Sequence, residues 1–400
     1  MSTSSRSLES RILREERHLD DLRPAWDELL AASVRPEPML SADWLIAWQR
    51  IYGKGRALCV GVYEADGQLV GLAPMCSRVF RYRPGIPFRR IEPLGSDVEE
   101  GDGVCSDYLH LIVRPGFEEA VAQAYVADMN AGVYGPWDEW LLPSVDGDHP
   151  LTPILVAAWA RAGRTVLTTV ADVCPYLEIP PTWDDFLATL SKSGRRSFRS
   201  CLVDFQKWSE GRAIVQHATD AASLAEGKRV LQALHRERWH ADEKEGAFSS
   251  PRFCAFHDIV LQHLLDDDRL DLRWLTLDGR ALAAYYAFRY GDKLYYYQAG
   301  RTVDVPPKVR LGIVILVDGL KDAMARGLRE FDFLAGQAQY KSLFTDTSRK
   351  IVELRVAKPT LREAVRKTLT TGVRMFRQVR ARLQTKVQVP KHVNQTERPV

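Results

Sequence analysis

Apolar and polar positions alternate with two different periods along the chain, and each change of period marks a predicted element. In the first half, two apolar strands joined by Ala65-Asp66-Gly67 predict a hairpin at 57–79. The same patterns predict strands at 108–113, 138–145 and 164–179, and helices at 20–32, 44–48, 117–129 and 151–162. Strands interleaved with helices indicate an α/β layer architecture.

The second half opens at Pro180-Pro181 and uses the same alternation, so the pattern is consistent with a duplicated domain. One long helix is predicted at 182–211, with Thr182 as its N-cap and Gly211 beyond its end. The remaining helices are predicted at 221–241, 252–265, 310–326 and 337–344. The strands are predicted at 213–219, 271–277, 281–291, 293–300, 329–334 and 350–356.

Length and composition limit the class of protein. Four hundred residues exceed what one core usually fills, so we expect domains at 1–179 and 180–357, followed by a tail at 358–400. The charged N-terminus lacks a signal peptide, and the most apolar window, 311–320, is too short to span a bilayer. The six cysteines are scattered, which favours reduced thiols over disulfides or a zinc site. A cytoplasmic enzyme without a metal is expected.

The tail has a charge pattern of its own. Residues 358–392 contain ten of the 55 basic residues but only one of the 52 acidic ones, so the rest of the chain is net acidic. Apolar residues recur every three or four positions, which predicts a basic amphipathic helix; they are Leu361, Val365, Leu369, Val373, Phe376, Val379 and Leu383. Such a helix favours an anionic membrane surface. The alternatives are docking on the acidic body and a nucleic-acid contact, of which the nucleic-acid contact is not expected.

Two stretches of the second half carry candidate chemistry. At 306–314, a strand-to-helix turn would present free backbone N–H groups and a positive helix end, which suit a pyrophosphate. Lys308 and Arg310 add positive charge there, and Gly312 permits close approach of a ligand. An ordinary helix start remains the alternative. At 330–344, a strand is followed by Gly336 and then by Tyr340 and Lys341.

The segment 311–344 resembles the signature of the CelD-like acetyltransferases, a branch of the GNAT acyltransferase superfamily related to the FemAB aminoacyltransferases. The matching elements are Leu311-Gly312, the helix ending at Gly327, Phe331-Asp332-Phe333, Gly336 and Tyr340-Lys341. Segments 106–121 and 190–211 also look like that family, so the resemblance covers about residues 20–357. It departs from many relatives at Pro307-Lys308-Val309, where they have Ser-Pro-Gly.

The resemblance implies a fold of two GNAT-like lobes, each with a mixed, mostly antiparallel sheet flanked by helices. It implies an acyl-CoA or acyl carrier protein thioester as the donor. The donor-binding residues would be Lys308, Arg310, Leu311, Gly312, Gly336 and Lys341. Tyr340 would be the general acid for the departing thiolate, with packing of its short helix as the alternative.

Other candidates are argued from residue type. His235 lies on a predicted helix and is the candidate general base, although a lone histidine is more often structural. Asp332, on the strand before the turn, is the third catalytic candidate, or it instead holds the glycine turn in shape. The strand 295–298 is interpreted as sheet core, with Tyr295 and Tyr297 on one face and Tyr296 and Gln298 on the other. The basic helix segment 192–199 could meet phosphates, with a solvated face as the commoner explanation, and the acidic stretch 97–107 is interpreted as a plain loop.

The predicted function is an acyl-CoA-dependent N-acyltransferase. Its acceptor would be an amine of an envelope lipid, such as a sphingoid base, or of a saccharide precursor, at the inner face of the cytoplasmic membrane. A FemAB-like transferase using aminoacyl-tRNA is one alternative. A non-catalytic scaffold with the GNAT fold is the other.

Overall fold

The computed structural model describes residues 8–83, 85–96, 102–336 and 338–369. Its N-terminal half contains β1 (Leu8–Leu13), α1 (Arg17–Ala32), α2 (Ala42–Tyr52), β2 (Ala57–Leu58), β3 (Val60–Ala65), β4 (Gln68–Ala73), β5 (Met75–Tyr82), β6 (Ile86–Pro93), β7 (Ile112–Val113), α3 (Glu118–Ala131), β8 (Glu139–Asp146) and α4 (Leu151–Arg161). The predicted hairpin is confirmed, since β3 and β4 pair across a two-residue turn. Asp66 and Gly67 have positive φ there, as a tight hairpin turn requires.

The C-terminal half contains β9 (Leu167–Glu178), α5 (Trp183–Thr189), α6 (Lys192–Ser209), β10 (Ala213–His217), α7 (Ala221–Ala241), α8 (Pro251–Asp266), β11 (Leu270–Leu277), β12 (Arg280–Tyr290), β13 (Lys293–Arg301), α9 (Leu311–Ala325), β14 (Glu330–Asp332) and β15 (Ser348–Ala357). A last helix, α10, covers 361–369. The remainder of the predicted tail helix lies outside the described residues. No helix among the described residues is long and apolar enough to cross a membrane.

The prediction of one helix at 182–211 is wrong. Leu190 and Ser191 have extended backbone between α5 and α6. Each helix has its own side-chain N-cap, because Thr182 accepts from the Asp185 amide and Ser191 from the Gly194 amide. The apolar period of the two helices is nearly in phase, which is why the pattern alone did not separate them. The predicted helix at 337–344 is also shorter, a single 3₁₀ turn at Lys341–Leu343.

The two halves repeat one order of elements. The strands β1, β3, β4 and β7 form a four-stranded sheet, and β10, β11, β12 and β13 have the same order in the second half. In each half the fourth strand leads through one helix, α3 or α9, to a further strand, β8 or β14. The fold is therefore mixed α/β with two similar lobes, as the sequence predicted.

The lobes share both a sheet and a core. An eleven-stranded sheet runs from β10 to β2, and within it β15 pairs with β8 of the first lobe and with β9. A hydrophobic cluster also joins α1 and α2 to α7 and α8. In that cluster Trp44 packs edge-on against Phe256 with ring centroids 4.9 Å apart. The second lobe therefore packs directly on the first, through both the sheet and this cluster.

Candidate functional site

The parallel pair β13 and β14 separates where the candidate site begins. Three residue pairs join the strands, and the last of them is Tyr295 with Asp332. β14 ends there, whereas β13 continues to Arg301. Among the described residues, the side of β13 from Tyr296 to Arg301 that faces away from β12 has no strand partner; we call it the open edge of β13. In open parallel sheets, ligands bind outside such carboxyl ends, where neighbouring strands diverge.

After β13 the chain passes through α9 and returns to the start of β14, which is parallel to β13. The start of α9 therefore lies at the same end of the two strands as the open edge of β13. Lys308 is exposed, and Leu311 is buried in the core under the helix. Gly312 faces open space, since a Cβ built there would contact nothing within 4 Å. The predicted donor-binding segment therefore has a buried anchor and an accessible glycine in the first turn of the helix.

Arg310 connects this segment to α6. Its guanidinium donates to the Ser197 hydroxyl at 2.9 Å, and its carbonyl lies 3.9 Å from the Cys201 sulfur. The contact brings the basic stretch 192–199 to the start of α9. Arg196 and Arg199 are exposed there, and neither forms an ion pair with a described carboxylate. The sequence leaves open whether 192–199 meets phosphates or is a solvated face, and it gives no sign of the contact with α9.

Tyr340 lies beside the open edge of β13. Its ring is perpendicular to that of Tyr296, the first residue beyond the paired part of β13, with centroids 6.4 Å apart. The two phenols are hydrogen-bonded, and the Arg238 guanidinium is close enough to act on both electrostatically. Burial raises the pKa of Tyr340 to about 12. The phenol is therefore protonated at neutral pH, as a proton donor has to be.

The turn between β14 and Tyr340 is held by buried polar groups. Asp332 is fully buried and accepts hydrogen bonds from the Leu334 amide at 2.7 Å and from the Tyr108 hydroxyl at 2.7 Å. Leu334 and Gly336 both have positive φ, so the chain reverses sharply here. The Asp332 carboxylate shapes this turn, and its predicted part in catalysis stays a prediction.

Lys341 is not positioned as an anion contact. Its side chain is 6% exposed, and its ammonium donates to the carbonyls of Leu334 at 3.0 Å and Ala335 at 2.9 Å. Burial lowers the pKa of Lys341. The expectation that Lys341 binds the donor is corrected by this geometry, because the ammonium faces the interior of the turn. The sequence gives no sign of this burial, because a lysine in a short polar stretch is normally exposed.

Asp107 supports the same turn, although the sequence did not indicate it as a functional residue. Its carboxylate accepts from the Ala335 amide at 2.8 Å and from the Ser144 hydroxyl at 3.2 Å. Burial raises the pKa of this carboxyl to about 7. Asp107 belongs to the first lobe, so the turn that leads to Tyr340 is supported from both lobes. The sequence indicates only a plain loop at 97–107 and gives no sign of this contact.

His235 is a residue of α7 and lies on the buried side of that helix. It is 1% exposed, and its ring packs edge-on against Phe248 with centroids 4.9 Å apart. Burial lowers its pKa to about 4. Its backbone meets Gly300 of β13 so closely that any Cβ on Gly300 would collide with it. This position favours a structural role, and its assignment as general base stays a prediction.

A bulge in β13 changes one predicted face. Between Tyr286 and Ala287 of β12 the register shifts, so Tyr297 is the bulged residue between the pairs Tyr286–Gln298 and Ala287–Tyr296. As a result Gln298 lies opposite Tyr286 and hydrogen-bonds the buried His235, on the same side of the sheet as Tyr297. The prediction that Gln298 shares a face with Tyr296 is wrong, because one inserted residue shifts the alternation.

Comparison with known proteins agrees with this arrangement. Residues 192–342 match the family model of the acetyltransferase (GNAT) domain. This segment is similar to the acetyltransferase (GNAT) domain. The matched range includes α6, α9, the open edge of β13 and Tyr340, so the candidate site lies within the matched segment. No curated protein matches the sequence.

Solved structures extend the likeness beyond the GNAT domain. The crystal structure of FemX superposes with a TM-score of 0.60 at 11% identity, covering 90% of this chain and 99% of that one. A conserved protein of unknown function from Bacteroides thetaiotaomicron gives 0.53 at 10% identity, covering 87% and 100%. At such identities the likeness shows a shared fold only. That fold includes both lobes. In the described part of the chain, no three His, Cys, Asp or Glu residues are grouped so as to hold a metal ion.

Proposed function

We propose that the chain transfers an acyl group from a thioester, with coenzyme A as the carrier, to an amine. The observation that supports this best is the open edge of β13, which has the start of α9 near it and the Tyr340 phenol beside it. An unpaired strand edge suits an extended, amide-containing arm such as pantetheine. The first turn of α9 suits the pyrophosphate at the far end of that arm.

The reaction requires two proton movements. The amine nitrogen forms a bond to the thioester carbonyl carbon and loses a proton to solvent or to a base. The carbon–sulfur bond then breaks, and the departing thiolate takes a proton from Tyr340. The Tyr296 hydroxyl hydrogen-bonds the resulting phenolate, and the nearby Arg238 guanidinium stabilises it electrostatically. Solvent returns the proton to Tyr340 before the next turnover.

The basic side chains near α9 fit the charge of such a donor. Lys308 and Arg310 lie at the start of α9. The hydrogen bond from Arg310 to Ser197 brings Arg196 and Arg199 of α6 close to them. Cations without a carboxylate partner are free to pair with the phosphates of coenzyme A. The same charges would also accept a larger polyanion such as tRNA, so charge alone does not identify the carrier.

Calorimetric titration with coenzyme A tests the donor. We expect saturable binding that weakens in Arg310→Ala, because this change removes a charge and the contact with α6. Arg212→Ala is the matched control, since Arg212 is exposed and already paired with Asp278. Absence of heat with wild-type protein would contradict the proposal. An activity that ribonuclease abolishes would instead favour an aminoacyl-tRNA donor.

We place the acceptor amine on an envelope lipid or saccharide precursor at an anionic membrane surface. The support is the orientation of α10. Its Glu363 is 4% exposed and bonds the guanidinium of Arg355 at 2.8 and 2.9 Å, so this side of α10 faces the protein. The opposite side exposes Leu361, Val365 and Leu369. In the sequence, apolar residues continue at the same spacing beyond residue 369, and basic residues lie between them.

Vesicle flotation tests the membrane contact. The triple variant Leu361→Ser, Val365→Ser, Leu369→Ser should lose binding to phosphatidylglycerol vesicles, while wild type binds them and not neutral ones. Substitution is preferable to deletion, because deleting α10 would remove the Glu363 partner of Arg355. Leu167→Ser with Val170→Ser is the control, since both are exposed apolar residues on β9. Equal flotation of the triple variant and wild type would exclude this contact.

A further inference from the structure

The first lobe has its own version of the place where β13 and β14 separate. By element order, β7 corresponds to β13, α3 to α9, and β8 to β14. Here β7 and β8 do not pair; the chain just before β7 is joined to β8 by the Leu109 amide, which donates to the Ser144 carbonyl at 2.7 Å. Beyond this contact a small cavity lies at the starts of α3 and α4, lined on one side by His110 and His149.

The two histidines take the chain positions that Tyr296 and Tyr340 take in the second lobe. His110 directly follows the last contact between the strands, and His149 lies in the turn after β8. Their rings are in contact, with centroids 4.0 Å apart. They are 3% and 6% exposed. In each ring the Nε2 atom is buried and has no hydrogen-bond partner among the described residues.

The backbone determines the tautomer of each ring. Burial lowers the pKa of His110 to about 4 and that of His149 to about 2, so both are neutral at neutral pH. His110 Nδ1 contacts the Leu111 carbonyl, an acceptor, and therefore carries the proton. His149 Nδ1 accepts from the Leu151 amide at 3.1 Å and therefore has no proton. The two residues that line the cavity therefore present one unsatisfied Nε2 acceptor, on His110, and one unsatisfied Nε2–H donor, on His149.

This pair does not suit a metal ion, since the His149 Nε2 lone pair is replaced by a proton. It also does not suit a bare anion, which cannot donate to His110. A hydroxyl group satisfies both atoms, because it donates one hydrogen bond and accepts another. The centre of a water-sized sphere can occupy about 10 Å³ of the cavity. This is room for roughly one oxygen atom.

We propose that the first lobe binds one hydroxyl group between His110 and His149, at the position equivalent to the donor site of the second lobe. The hydroxyl belongs to a water molecule or to the end of a small alcohol or polyol. The remaining lining is mainly apolar, with Leu111, Val113 and Leu151. Such a cavity is too small for a second nucleotide carrier, so the two lobes have different ligands.

Long-range ¹H–¹⁵N spectra of the full chain, labelled at histidine, test this site. The expected result is an Nδ1–H tautomer for His110, an Nε2–H tautomer for His149, and a contact from the His149 Nε2–H to a hydroxyl proton. Ethylene glycol distinguishes the sources: a shift of both Nε2 signals indicates an alcohol, whereas unchanged signals with a cross-peak to water indicate bound water. His235 and His257, also buried, serve as internal controls.

Three outcomes would overturn the proposal: the reverse tautomers, rapid averaging between tautomers, or zinc binding that displaces the Nε2 proton of His149. His149→Phe provides a second measurement. It should remove the hydroxyl contact and let His110 sample both tautomers, with the His235 and His257 signals unchanged. If His149→Phe does not fold, the wild-type spectra alone decide.

Discussion

Tyr340 and Lys341 are adjacent in the chain but have opposite surroundings. The phenol lies beside Tyr296 at the open edge of β13, while the ammonium faces inward and bonds two carbonyls of the turn. The sequence placed both residues after a glycine at a strand end, and the structure has them there. It could not show which one faces a ligand, because that depends on how far the turn closes around the lysine.

Tyr340→Phe tests the proposed proton donor. Removing the hydroxyl should lower turnover by about 10²-fold or more, the usual contribution of a general acid. Coenzyme A affinity should change little, because the ring and its packing remain. Steady-state kinetics with separate determination of kcat and the donor Kd measure this. Unchanged turnover would exclude Tyr340 as the acid.

Glu37→Gln tests a buried carboxyl between the lobes. Glu37 accepts from the Tyr295 hydroxyl at 2.8 Å, and burial raises its pKa to about 7. Between about pH 4.5 and 7 the folded state therefore retains a proton that the unfolded chain has released, so wild type loses stability as pH rises through this range. The glutamine has no such loss.

From pH 5 to pH 8, the free energy of unfolding of the variant should therefore rise by about 1–3 kcal/mol relative to that of wild type. Urea unfolding at several pH values measures the difference. Glu119→Gln, on the exposed side of α3, is the control. A difference that is constant with pH, or that moves the other way, would contradict the burial argument.

At the scale of elements, the sequence predicted a turn or helix end correctly where a single local pattern was present, and wrongly where two patterns indicated different structures. The turn at Asp66-Gly67 was predicted because few other pairs fit it. The break at Leu190-Ser191 was not, because the apolar period continued through it while a serine cap ended it. The bulge at Tyr297 left no trace in the alternation of side chains, since it depends on pairing with β12.

Gly312→Val tests the start of α9 as the donor site. A Cβ at Gly312 contacts nothing in the protein, so the melting temperature should hardly change. A valine pressed against bound ligand costs about 1–3 kcal/mol, which raises the Kd for coenzyme A about tenfold or more. Calorimetry and thermal unfolding give the two numbers.

Gly319→Ala is the matched control on the same helix. Its Cβ would collide with the Tyr285 hydroxyl, so it should lower the melting temperature. The Kd of the folded protein should remain near that of wild type. If Gly312→Val binds coenzyme A as tightly as wild type, the first turn of α9 is not the phosphate site.

At the scale of the molecule, the second lobe depends on the first. Asp107 and Tyr108 bond the turn after β14, and β15 pairs with β8. The sequence indicated two lobes but could not show this sharing, because contacts between residues more than two hundred positions apart leave no periodic signal. The predicted boundary at 179–180 follows the chain and cuts through the shared sheet.

Separate expression of residues 180–357 tests that dependence. Without β9 and β8, the strands β14 and β15 would have open edges, and Asp332 would lose its Tyr108 partner. We expect this fragment to aggregate, while residues 1–369 fold cooperatively. Circular dichroism and size-exclusion chromatography compare the two. A stable, monomeric fragment that binds coenzyme A would show that the second lobe is independent.

The central claim is that an acyl-thioester donor lies in the space beyond Tyr295 and Asp332. A crystal structure with coenzyme A tests it most directly. The account predicts the pantetheine arm along β13 from Tyr296 to Arg301, the pyrophosphate at the Gly312 amide, and the sulfur within hydrogen-bond distance of the Tyr340 hydroxyl. Coenzyme A bound elsewhere, or a sulfur remote from Tyr340, would contradict it.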